Sequence, residues 1–138
     1  MKLSVAAIVV NDGKLFIARR IPGGDMGGKW EFPGGKADGE ETAEDALVRE
    51  MAEEFGVTVK VGSLIARGNF THNNTEHRLA AYLTHISDYH FSLTEHTGWR
   101  WADFAEIEAL NASGEFTPSD YTLLPQIQKA LASDPLRG

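Results

Sequence analysis

Residues 35–57, GKADGEETAEDALVREMAEEFGV, constrain this chain more than any other stretch. Gly35, Glu41, Arg49, Glu50, Glu53, Glu54 and Gly56 stand at fixed spacing, with bulky apolar residues at Met51 and Val57. At ~6% usage per position and roughly a hundred starting points, these seven coincide by chance on the order of once in a million chains. The stretch also carries the local grammar of a helix from Thr42 to Phe55. Thr42 can accept a hydrogen bond from a first-turn N–H, Glu44 and Asp45 suit the positive end of the helix dipole, and Gly56 can take the left-handed conformation that stops it. At about 100° per residue, Leu47, Val48, Met51 and Phe55 form one apolar stripe for the core. Glu50, Glu53 and Glu54 form a neighbouring stripe at the i, i+3, i+4 spacing that brings side chains together.

Three like charges on adjacent turns repel, and a helix serving stability alone avoids them; Arg49, four residues before Glu53, relieves part of the repulsion. An isolated E-x-x-E-E is ordinarily a solvated helix face. Here it follows Phe32-Pro33-Gly34-Gly35-Lys36, a stiff turn and two glycines that let backbone carbonyls approach a ligand. Hard divalent cations want clustered oxygen donors, and magnesium takes a few carboxylates together with phosphate oxygens and water. The helix therefore reads as a metal platform with the Gly35 carbonyl at its edge.

These residues resemble the signature of the Nudix hydrolases, G-x5-E-x7-R-E-U-x-E-E-x-G-U with U bulky and apolar. Met51 stands where that family usually has an aliphatic residue, and methionine packs there as well. The resemblance covers nearly the whole chain and implies one α+β domain over residues 1–138, the Nudix fold, with a mixed β-sheet in an α/β/α sandwich. Within the family the chain is similar to the MutT-type branch, which hydrolyses nucleoside triphosphates to the monophosphate and pyrophosphate. Arg19-Arg20, the run from Lys29 to Lys36, and Phe116 to Asp120 carry that similarity.

The resemblance implies Mg2+, with Mn2+ as a substitute, on Gly35, Glu41, Glu50, Glu53 and Glu54. Arg49 would orient the carboxylates, and Glu41 would bind metal or brace the loop. Glu50, Glu53 and Glu95 are the candidates for taking a proton from water. Glu95, six residues before Trp101, resembles a loop carboxylate of the MutT type; an ordinary exposed glutamate is the plain alternative. Arg20 resembles a phosphate or base contact, Phe32 a base-stacking position and Asp120 a contact to the base edge. Their plain alternatives are a solvated strand end, a core phenylalanine and a turn cap. A carboxylate at position 120 accepts from exocyclic or ring N–H groups, as on cytosine or a guanine-like base, whereas thymine offers one donor. This leans toward CTP, dCTP or 5-methyl-dCTP. An 8-oxo-dGTP diphosphatase, a hydrolase of another nucleoside diphosphate derivative such as ADP-ribose, and a non-catalytic nucleotide-binding module stay as alternatives. The ADP-ribose branch usually has a proline beyond the signature, where this chain reads Phe70-Thr71-His72-Asn73.

With 138 residues the chain suffices for one core but not two. Its net charge of −7 opposes a nucleic acid polymer as partner, though not a nucleotide, whose metal would mask the carboxylates. Absence of cysteine removes disulfides, thiolate metal sites and thiol nucleophiles. The longest apolar run, Val5 to Val10, is too short to cross a membrane, and the N-terminus lacks a signal-peptide pattern. A cytoplasmic protein acting on a small nucleotide is expected, as a monomer or homodimer. The five histidines form no helical His-x3-His or His-x4-His pair, so zinc is not expected.

Strands are expected at Lys2–Val10 and Lys14–Ala18 around an Asn11-Asp12-Gly13 turn, then a glycine loop over Ile21–Lys29 and a short strand at Trp30–Phe32. Thr58–Phe70 and Arg78–Ile86 are expected strands joined by a polar tip, Thr71–His77, with another strand at Gly98–Trp101. Ala102–Leu110 and Leu124–Ala132 read as helices. Pro125 fits only the first turn of the latter, which makes Ser119–Leu123 a separate turn. Trp30, Trp99 and Trp101 are expected to pack, and the tail after Ala132 to fray.

Overall fold

A computed structural model describes residues 2–133. The expected fraying of the tail lies, from residue 134 on, outside the described residues. β1 (Lys2–Ile8) and β3 (Lys14–Arg20) are apolar on both sides, because each is covered on both faces. Val5, Ala7 and Val9 with Phe16 and Ala18 face α1 (Ala43–Phe55). Ala6 and Ile8 with Leu15 and Ile17 face Ile107 of α2 (Phe104–Ala112) and Leu124 and Ile127 of α4 (Leu124–Ala132). Helix, sheet layer and helices therefore stack as an α/β/α sandwich with a core on each face.

The sheet layer is split in two. β1 pairs in parallel with β7 (Thr75–Ile86) and antiparallel with β5 (Gly34–Lys36), and β7 pairs antiparallel with β6 (Val59–His72). This mixed sheet runs β5-β1-β7-β6. The second sheet is antiparallel, with β3 at its centre between β8 (His96–Ala102) and both β2 (Val10–Asn11) and β4 (Trp30–Glu31). The chain passes from the first sheet to the second at Val9, between β1 and β2, and the Asp12-Gly13 turn, with φ of 52° and 75°, then joins β2 to β3 within the second sheet.

Several expected boundaries move. The polar tip shrinks to Asn73-Asn74, whose φ of 49° and 62° make a two-residue turn matched to strand twist, so both long strands continue to it. The strand expected from Gly98 starts at His96, because Arg20 offers it a partner across a register shift. The helix expected from Ala102 begins at Phe104. Asp103 caps it reciprocally with Glu106. Ser119–Leu123 holds part of a single helical turn, α3 (Pro118–Tyr121). Of the three tryptophans, Trp30 and Trp101 are half-buried. Trp99 stacks on Phe16 yet stays 37% exposed.

Gly34 is fixed by the β1–β5 pairing. At its φ of 153°, an added Cβ would lie 1.9 Å from the Val5 carbonyl oxygen. Gly39 has a positive φ of 50° but open space around it. Gly34→Ala should therefore lose at least ~2 kcal/mol of unfolding free energy by urea titration, and Gly39→Ala about 1 kcal/mol. Equal losses at the two positions would contradict this account of β5.

Candidate active site

The site begins where β5 leaves β1 and enters α1. Thr42 Oγ1 accepts from Asp45 N at 3.1 Å, and Gly56, at φ 67°, closes the far end of the helix. The buried stripe of α1 is Ala46, Leu47, Met51 and Phe55; Val48 is 40% exposed and does not belong to it. The stripe is centred nearer Leu47 than expected, and this redistributes the acids. At about 100° per residue, Glu54 falls ~20° from Leu47, so it points toward the core edge, whereas Glu53 lies on the flank. Glu50 and Glu54 are accordingly half-buried, and the Glu53 side chain is 60% exposed. The three glutamates expected on one stripe occupy three environments.

Arg49 gathers the rest. Its Nε donates to Glu41 Oε2 at 2.8 Å, Nη2 to Glu41 Oε1 at 3.0 Å, and Nη1 to Glu50 Oε1 at 2.9 Å and Glu53 Oε2 at 3.1 Å. Nη2 also donates to the Lys36 carbonyl at 2.9 Å, tying the helix to the glycine turn. Glu41 Oε1 accepts from Asp38 N as well, so one oxygen is bonded within the turn and both are engaged by Arg49. Arg49 beside it, and then that N–H, hold the Glu41 carboxyl down to about 2. The same glutamate holds the Arg49 guanidinium still more firmly protonated than usual.

Glu54 has no such cation. Burial, followed by the Glu50 carboxyl and the charges of Glu31 and Glu95, pushes it up to about 9. Gly35 lies directly against this cluster, since a Cβ there would come within 2.4 Å of the Glu50 carboxyl carbon. Only a residue without a side chain lets Glu50 cover that backbone. Among the described residues no three acids or histidines are gathered into a finished cation cage. The donor set nonetheless fits a hard dication: crowded carboxylate oxygens, one half-buried without a counter-charge, beside an open backbone. Glu95 reaches the site through its loop. Ser92 N donates to the Phe55 carbonyl at 2.9 Å and Thr94 N to the Glu54 carbonyl at 3.2 Å, capping α1. The Glu95 side chain is exposed and lies outside the cleft wall, although its charge is felt at Glu54.

Gly35 and Glu54 form one wall of a cleft of about 520 Å³. Another wall is built by the 115–120 segment docking on β4, where Trp30 N donates to the Glu115 carbonyl at 2.7 Å and Thr117 N to the Trp30 carbonyl at 2.9 Å. This brings Asp120 against Phe32, whose N–H donates to Asp120 Oδ2 at 3.0 Å across 88 residues of sequence. Asp120 is 8% exposed; burial first, then the charge of Glu31, pushes its carboxyl up to about 7. Phe32 is 3% exposed with its ring edge-on to Phe116, as a core residue would be, and it also lines the cleft wall. Arg20 stands at the mouth with Nη1 3.3 Å from Glu31 Oε1. No sequence signal singled out Glu31 or His96. Glu31 lines the cleft and meets His96 Nε2 at 2.9 Å, a contact spanning 65 residues.

Comparison with known proteins gives a matching family model, the NUDIX domain, over residues 1–127. The CTP pyrophosphohydrolase of Escherichia coli (strain K12) is 34% identical over 131 residues, 95% of this chain and 94% of that protein. An 8-oxo-dGTP diphosphatase of Proteus vulgaris is 37% identical over 99 residues, 70% of this chain and 87% of that one. The solution structure of the E. coli ORF135 protein superposes with a TM-score of 0.79 at 34% identity, covering 98% of this chain and 94% of that one. A MutT protein from Methanosarcina mazei Go1 reaches the same TM-score at 22% identity, with 94% of each chain covered, which speaks for the fold alone.

The raised carboxyl of Asp120 sets a pH dependence of stability. Its folded value near 7 stands above the ordinary 3.8, so the folded protein holds this proton more tightly than the unfolded chain. The corresponding stability is complete below about pH 4 and is lost as pH rises toward 7, on the order of a few kcal/mol in all. Asp120→Asn keeps an acceptor for Phe32 N and removes the titration. It should therefore be more stable than the wild type at pH 8, with the gap shrinking toward pH 5 in paired urea titrations. A pH-independent gap would refute the burial account of Asp120.

Proposed function

This chain belongs to the Nudix hydrolase family, and we propose that it hydrolyses a cytosine (deoxy)nucleoside triphosphate to the monophosphate and pyrophosphate. The observation that carries the reading is the single cleft in which Gly35 and Glu54 share space with Phe32 and Asp120. One side suits a charged polyphosphate and its cation, the other a flat base with polar edges. Its volume falls in the range of small-molecule sites.

Gly35, Glu50, Glu53 and Glu54 would hold magnesium. A divalent cation there would offset phosphate charge and make a bound water more acidic. The two engaged oxygens of Glu41 support the bracing role over the ligand role. Arg49 orients Glu50 and Glu53 and keeps them from repelling one another. Exposed Glu53 and Glu95, with half-buried Glu50, are the groups that can accept the proton of the attacking water. Attack at the β-phosphorus breaks its bond to the oxygen bridging to the α-phosphorus, and the monophosphate leaves with that oxygen.

At the other end of the cleft, Phe32 offers an apolar surface to a base, and Asp120 faces its edge. A carboxyl near neutrality serves either way. Ionised, it accepts from an exocyclic amine; protonated, it donates to a ring nitrogen or a carbonyl oxygen. Both cytosine and an oxidised guanine present such groups. The match to the CTP pyrophosphohydrolase along 95% of the chain favours cytosine, and the similarity to an 8-oxo-dGTP diphosphatase makes oxidised guanine the second reading.

Two experiments test this. Turnover with magnesium is measured on CTP, dCTP, 5-methyl-dCTP, dGTP, 8-oxo-dGTP and ADP-ribose, resolving pyrophosphate from phosphate. One cytosine triphosphate should stand about a hundredfold above the rest in kcat/KM; a comparable lead for 8-oxo-dGTP would install the second reading. Glu53→Gln should lower kcat by about 10³-fold or more with an unchanged melting temperature. Wild-type turnover by that variant would remove Glu53 from the chemistry.

A further inference from the structure

His96 opens β8 with its side chain only 1% exposed. Its ring lies on Phe55, the last residue of α1, with centroids 4.9 Å apart and planes 22° apart. Packing alone would be served by a phenylalanine. Instead the core holds an imidazole whose Nδ1 is buried without a hydrogen-bond partner among the described residues, an arrangement that costs stability. Its Nε2 has a partner, Glu31 Oε2, at 2.9 Å. An ionised carboxylate only accepts, so Nε2 carries the proton of this contact.

Glu31 is thereby held by buried His96 at Oε2 and by Arg20, 47% exposed, whose Nη1 donates to Oε1 at 3.3 Å and to Oε2 at 3.4 Å. The Glu31 side chain is 15% exposed and lies on the cleft wall. Arg20 alone is a mobile anchor, since a long cationic side chain at the surface is free to leave with its partner. The buried ring is the fixed one, locked by the stack on α1.

We propose that His96 is a positioning residue for substrate binding that acts through Glu31, holding this carboxylate on the cleft wall beside Phe32 and Asp120. The proposal rests on the nucleotide reading above. Through His96, the end of α1 that carries Glu54 and the wall that faces the base share one rigid contact. Glu31 then presents its charge to the substrate at a set place, where amine donors of a base or hydroxyls of a sugar would meet it.

His96→Phe keeps the stack on Phe55 and deletes the donor. His96→Gln returns an amide N–H close to the Nε2 position, and Glu31→Ala removes the acceptor. With the best triphosphate of the panel, His96→Phe should raise KM about tenfold, the order of one lost hydrogen bond to a charged group, with kcat within about twofold. His96→Gln should recover most of that loss. In the Glu31→Ala background, His96→Phe should change KM by less than about twofold, because the partner it serves is gone.

Equal KM increases with and without Glu31 would overturn the proposal, as would a folded His96→Gln that behaves like His96→Phe. If His96→Phe does not fold, the comparison is made with His96→Gln and His96→Asn, whose amide nitrogen falls short of Glu31 and should reproduce the KM loss; equal KM values for the two overturn it. A wild type that turns over no triphosphate would overturn the functional reading instead. The same cycle is then read on the Kd for CTP, where additivity, or absence of CTP binding, overturns the His96 proposal.

Discussion

Arg49 binds Glu41, Glu50 and Glu53 at 2.8–3.1 Å and the Lys36 carbonyl at 2.9 Å, and the arrangement of the site follows from this one guanidinium. Glutamates at i, i+3 and i+4 would otherwise push one another outward and fray the helix face. The planar fork satisfies several carboxylate oxygens at once, which an ammonium group does not do. Its bond to Lys36 then locks α1 to β5, and β5 is zipped to β1 by the Val5↔Gly35 and Ala6↔Gly34 pairs. The Gly35 backbone is thereby delivered beneath Glu50. One cation relieves the repulsion on an acidic helix face and ties that face to the glycine turn beside it.

The two ends of the cleft carry different electrostatic burdens. At the helix, Glu41 is held ionised by Arg49, while Glu54, turned toward the core, has only like charges for company. At the opposite wall, Asp120 is buried with one backbone N–H for support. Both raised carboxyls oppose folding near neutral pH, and nothing in the packing requires either to be acidic. Groups of this kind are tolerated where a ligand later supplies what the fold withholds, which is in keeping with the binding surface proposed above. Glu31 lies between the two and raises both, the electrostatic counterpart of its place on the cleft wall.

The chain's own residues determined the helix of the signature, its Thr42 and Gly56 ends, the bounds of the last helix, the first hairpin turn and the family. These features are local: capping, period and turn chemistry involve residues a few positions apart, and a sequence displays them directly. Tertiary structure alone decided that Val48 faces solvent, that Glu54 is sheltered while Glu53 is not, and that Phe32 serves core and cleft together. It also decided that two asparagines suffice to turn the long hairpin, since strand pairing extends wherever a partner edge is available. The contacts that build the cleft wall opposite α1, Phe32 to Asp120 and Glu31 to His96, join residues 88 and 65 positions apart. No periodicity spans such distances. They exist because β8 and the 115–120 segment both dock on the second sheet, and only the packing of that sheet brings those side chains together.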